Sequence, residues 1–117
     1  MSKLTDRLRA AGADMDGALN RVVNDEELYA TCFAYFMDDP AFGQLEAALE
    51  QADYSAAFDA AHALKGVAGN LGLTSVYTLC DKLVQPLRHG EPGDADLNGM
   101  YRALTQERDN LKTLMAD

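Results

Sequence analysis

The residues of this chain whose types and spacing could do chemistry lie between positions 54 and 72: His62, Lys65, Gly66 and Gly69, within Ala61-His62-Ala63-Leu64-Lys65-Gly66-Val67-Ala68-Gly69-Asn70-Leu71-Gly72. Imidazole is substantially neutral, and therefore nucleophilic, at cellular pH. A lysine three residues on shares its helical face and can meet negative charge formed on the ring. At about 100° per residue, Ala56, Ala57, Ala60, Leu64, Val67, Ala68 and Leu71 fall on the arc opposite His62, which predicts an amphipathic helix with the histidine turned to water. Within about 80° of His62 by the same geometry lie Gly69, Gly66, Lys65, Phe58, Asp59, Asn70 and Tyr54.

Each glycine inside a helix costs about 1 kcal/mol relative to alanine. Gly66 and Gly69 are expected on the exposed side without packing neighbours, so their use points to clearance for a second protein beside the imidazole. Replacing Gly69 by leucine is then expected to stabilise the free chain while blocking a partner. Phe58, one turn before His62, reads equally as a core-edge residue or as a docking contact.

The elements that must position these groups follow from apolar periodicity and cap residues. A short helix from Ser2 to about Ala11 closes at Gly12, and Asp14 caps a second piece through Val23. Asn24 with Glu27 has the shape of a capping box and opens a helix expected to turn Leu28, Cys32, Tyr35 and Phe36 inward. Asp39-Pro40 starts the next, with Phe42, Leu45, Ala48 and Leu49 buried, running to about Gln51. Asp53 caps the histidine helix and Gly72 ends it. Thr74 or Ser75 restarts the chain into a helix burying Val76, Leu79, Cys80, Leu83 and Leu87. So short a joint makes the two helices antiparallel neighbours. After Gly90-Glu91-Pro92-Gly93, Leu97, Tyr101, Leu104, Leu111 and Met115 mark one face of a last helix. No strand pattern or repeat competes, and the stripes can be buried only against one another. The expected fold is all-α, an antiparallel four-helix bundle with additional short N-terminal helices, in one domain over residues 1–117 whose bundle core spans about 24–116.

The chain has 117 residues, 48% hydrophobic and 25% charged, a globular balance. The formal charge of −9 opposes nucleic acid, whose phosphates need a basic face, and fits a solvated surface. No apolar run approaches the ~20 residues of a membrane span, and no apolar h-region follows Met1-Ser2-Lys3, so a cytoplasmic location is expected. Cys32 and Cys80 stand apart among apolar neighbours and read as reduced core residues. Asp94-x-Asp96-x-Asn98-Gly99 begins like a calcium loop, yet Thr105 stands where the bidentate glutamate belongs and a helical stripe continues through it, so no calcium site is expected. No ligand stands at metal spacing from His62. His89, near a helix end, is better explained by the helix dipole than by catalysis. Lys65-Gly66 has the wrong order for a phosphate-binding ATP loop.

The pattern His62-x-Leu64-Lys65-Gly66, with a further glycine at 72, resembles the signature of histidine-containing phosphotransfer (HPt) domains, four-helix bundles that carry a phosphoryl group on histidine between receiver domains. The recognisable motif runs from about Phe58 to Leu87. It departs from the family at Val67, where serine or alanine is usual, and at Val84, often acidic. The resemblance implies a phosphocarrier without kinase activity, with His62 as acceptor and donor, Lys65 as charge support, and Gly66, Gly69, Phe58, Asp59, Asn70 and Tyr54 as the receiver-docking face. It implies response-regulator receivers and a sensor histidine kinase as partners, no cofactor in this chain, and magnesium held by the partner receiver. A monomer is expected. Two other readings stay open: the detached phosphoacceptor domain of a chemotaxis-type histidine kinase, and a helical adaptor that binds receivers without phosphotransfer.

Overall fold

The computed structural model describes residues 3–90 and 92–115. Its helices are α1 (Lys3–Ala10), α2 (Met15–Arg21), α3 (Glu26–Met37), α4 (Pro40–Glu50), α5 (Tyr54–Asn70), α6 (Thr74–Leu87) and α7 (Leu97–Lys112), followed by a 3-10 turn over Thr113–Met115. Aspartate opens five of them. The carboxylates of Asp14, Asp25, Asp39, Asp53 and Asp96 accept from the backbone N–H of Gly17, Leu28, Ala41, Ala56 and Gly99, satisfying donors that the first turn leaves without partners. Asp96, the middle of the calcium-like run, is thus a helix cap.

α4, α5, α6 and α7 form an antiparallel bundle in which α5 packs most extensively against α6 and then α4, and α6 against α7. α5 contributes mostly small residues to the core, Ala57, Ala60, Ala61 and Ala68 with Leu64, and these let both neighbours approach closely. Opposite them, Leu45, Val76, Cys80, Leu83, Val84 and Leu104 are completely buried. Burial pushes the Cys80 thiol up to about 12, so it is a small apolar filler.

Every carbonyl at the end of α5 finds a donor. Leu71 N donates to Val67 O and Leu73 N to Ala68 O, around Gly72 in the left-handed conformation, φ +71°. Arg21 Nη1 of α2 donates to Gly69 O at 3.1 Å and Asn70 O at 3.0 Å. Tyr29 of α3 donates its buried hydroxyl to Leu71 O at 2.7 Å, and Asp14 N donates to Gly72 O at 2.8 Å. The N-terminal elements therefore clasp the end of the histidine helix.

Several expectations need correction. Asp25, not Asn24, caps α3; Asn24 and Val23 are left-handed, φ 61° and 48°, which stops α2 at Arg21. α3 buries Tyr29, Phe33, Phe36 and Met37, leaving Cys32 half-buried and Tyr35 and Leu28 at 77% and 45% exposed. Nearly every position from Leu28 to Met37 is apolar, so periodicity does not select a face, and the larger rings and the Tyr29 hydrogen bond do. In α5, Ala61 is buried while Ala56 and Val67 are exposed; the buried arc is rotated toward α6, the neighbour with more contact. Met115 is exposed on the 3-10 turn. The expected start at Ser2, Glu91 of the last loop and the last residue of the core range lie outside the described residues. α7 otherwise buries Leu104 and Leu111 as expected.

Candidate functional site

His62 occupies the middle of α5, fully within the regular helix and exposed. The Asp53 cap and the clasp at Gly69 to Gly72 fix the two ends of that helix, and the alanine stripe fixes its rotation, so the imidazole is presented from a rigid element. One turn back, Phe58 is half-buried with its ring centroid 5.6 Å from that of His62 and inclined by 31°. Of the two readings of Phe58, the core-edge one is seen, since it packs partly against the core, and its ring also borders the histidine.

The other neighbours come from α6. Arg88 Cζ stands 5.7 Å from the Phe58 ring centroid. Lys65 Nζ donates to Asp81 Oδ1 at 2.9 Å, and the same oxygen accepts from Gln85 Nε2 at 2.9 Å. The Lys65 ammonium also lies 5.3 Å from the centre of the Tyr77 ring. The hydrogen bond with Asp81 holds the Lys65 ammonium above the usual lysine range, and the same bond holds the Asp81 carboxyl below the usual carboxylate range.

The two glycines differ. A Cβ on Gly66 would meet nothing within 4 Å, which leaves open surface one turn beyond the histidine. A Cβ on Gly69 would lie 3.3 Å from Tyr77 Cδ2. Gly69 is half-buried under that ring, so the expectation that it has no packing neighbour is corrected, and the sign of a replacement there depends on whether the Tyr77 ring gives way.

Of the remaining predicted face, Asp59 is exposed and lines a shallow concavity with Ser55, Phe58, Leu87, Arg88 and His89. Tyr54 packs partly into the core and Asn70 is exposed beside the Arg21 clasp. Each stands eight residues from His62, about 12 Å along the axis in opposite directions. His62, Phe58, Asp59 and Gly66 are thus brought together, Lys65 is drawn to α6, and Tyr54 and Asn70 lie at the helix ends. Sequence reasoning missed Tyr77, Asp81, Gln85 and Arg88, although their spacing of four, four and three marks one stripe running along α6 to its C-cap.

Among the described residues no three His, Cys, Asp or Glu side chains gather as a metal-ligand group, and no helix is long and apolar enough to cross a membrane. Comparison with curated proteins and with solved structures finds no match. The Hpt domain family model matches residues 39–114, a span that includes α4 to α7, the motif around His62 and the α6 stripe. With the sequence motif, the helical bundle and this match in agreement, the chain belongs to the Hpt domain family.

Proposed function

We propose that this chain is a phosphocarrier that accepts a phosphoryl group on His62 from the aspartate of one receiver domain and passes it to another. Hpt domains serve histidine phosphotransfer in phosphorelays; the observation that supports His62 in this role is its exposure in mid-helix beside the open surface at Gly66. The second histidine of the chain, His89, follows the end of α6 and has no comparable rigid support.

The unprotonated imidazole nitrogen attacks the phosphorus of the partner's acyl phosphate. The P–N bond forms as the P–O bond breaks, and the electron pair leaves on the partner's carboxylate. The reverse reaction, with a second receiver, discharges the histidine. Lys65 supports the phosphoryl charge, Gly66 gives clearance, and Phe58 and Asp59 border the docking surface. Gly69, Asn70 and Tyr54 extend that surface along α5. The partner receiver supplies the magnesium, a sensor histidine kinase stands upstream, and the carrier acts as a monomer in the cytoplasm without binding ATP.

Incubation with a phosphorylated receiver tests the assignment. His62→Gln is expected to lose phosphoryl acceptance entirely, with stability changed by less than about 0.5 kcal/mol because the side chain is exposed. Phosphate retained in that variant, or lost instead in His89→Gln, would move the site. Labelling by an ATP-bound kinase domain but by no receiver would favour the chemotaxis-type reading.

A further inference from the structure

The cation assigned to the phosphoryl group already has a partner. Lys65 Nζ bonds Asp81 Oδ1, and both side chains are partly exposed, with 21% and 38% of their surface open to solvent. On α5 itself Lys65 is three residues from His62, with Cβ atoms about 5–6 Å apart. Its flexible four-carbon stem allows the ammonium to serve α6 or the ring of His62. A phosphoryl group brings a charge of about −1.5 to −2, more than a single carboxylate. If the lysine leaves, Asp81 is not stranded: Gln85 still donates to it, and the positive charge of Arg88 acts on it as well.

We infer that Asp81 is a positioning residue: it holds Lys65 on α6 while His62 is free, and phosphorylation of His62 draws the ammonium across. The lost Lys65–Asp81 bond is then subtracted from the stabilisation that Lys65 gives the phosphohistidine. The carrier is charged without being trapped, because part of the lysine's attraction is spent on separating a pair that re-forms upon discharge. This inference rests on His62 as the phosphorylated residue.

The test uses the full chain, with phosphoramidate as phosphodonor and magnetic resonance of the Asp81 carboxyl carbon and the Lys65 side-chain nitrogen. Phosphorylation is expected to move both signals in the wild type, and to leave the Asp81 carbon in place in Lys65→Ala. In exchange with a phosphorylated receiver, Asp81→Asn is expected to raise the equilibrium ratio of phosphorylated to free carrier about two- to fivefold, the scale of an exposed ion pair. In the Lys65→Ala background the same substitution is expected to change nothing. Unmoved Asp81 and Lys65 signals on a phosphorylated chain would overturn the inference alone. So would an equal effect of Asp81→Asn with and without Lys65, which would mean direct repulsion between Asp81 and the phosphoryl group. Failure of phosphoramidate to label His62 would overturn the phosphocarrier reading and the inference together.

Discussion

The middle and the end of α5 use the same residue for opposite purposes. Around His62 the helix is bare, and Gly66 has open space where a side chain would stand. Two turns on, Gly69 lies under the Tyr77 ring, and Gly72 takes a left-handed turn so close to α2 that a Cβ would sit 2.2 Å from the carbonyl oxygen of Asp14. One glycine is unexplained by the fold, one packs beneath a ring that is able to move, and one is required by the fold. The difference teaches that a glycine in an active helix indicates a partner only after the chain's own neighbours have been accounted for. It also shows why the middle can be left bare: the end is held by Arg21, Tyr29 and Asp14.

The comparison is broken most directly at Gly72. Gly72→Ala combines a strained φ with the clash on Asp14, and we expect a loss of at least about 2 kcal/mol, read as a fall of about 10 °C in Tm. An unchanged Tm would show that the end of α5 is not tightly held. Tyr29→Phe removes the donor to Leu71 O and is expected to cost about 1–2 kcal/mol. Burial raises the Tyr29 phenol above its ordinary value of 10.0, so its contribution is complete below that pH and is lost as pH rises beyond it, when the unfolded state alone releases the proton. The stability gap between wild type and Tyr29→Phe should therefore narrow above pH 10 in urea titrations; a gap independent of pH would contradict the buried, neutral phenol.

At the bare middle the sign reverses. Gly66→Leu should stabilise the free chain by up to about 1 kcal/mol while slowing exchange with a receiver at least about tenfold through lost close approach, with phosphoramidate labelling retained. Exchange at the wild-type rate would remove the clearance argument. Gly69→Leu should have the smallest effect on stability, within about 0.5 kcal/mol of zero, since the gain in helix propensity is offset by displacing the Tyr77 ring, itself 40% exposed and able to move. A gain equal to that of Gly66→Leu would show that the ring gives way freely and that the two glycines are alike.

The starts of α4 and α5 were legible because Asp39-Pro40 and Asp53 are local signals, complete within a few residues of chain. The exposure of His62 was legible because a polar arc stands against an apolar one. The inward face of α3 was not, since Leu28, Tyr29, Cys32, Phe33, Tyr35 and Phe36 surround the helix with apolar groups and only the packed neighbours choose among them. Alanine misled in the same way on α5: Ala56, Ala61 and Ala63 are chemically identical, yet Ala61 alone of the three is buried. The site was half legible. His62, Lys65 and Gly66 announce themselves within five residues, whereas the pairing of Lys65 with Asp81 and of Gly69 with Tyr77 depends on how α6 is rotated against α5, which no local pattern encodes.

The clasp on α5 also bears on portability. Its three donors, at positions 14, 21 and 29, precede the 39–114 span by which the family is recognised. The segment that a gene fusion or a domain swap would copy for its chemistry is therefore shorter than the segment that supports it. A cut at residue 39 would carry away His62 and leave behind the donors to Asn70 O and Leu71 O, while Gly69 O and Gly72 O keep Gly72 N and Thr74 N, so that any new host would have to supply its own cover for those two carbonyls.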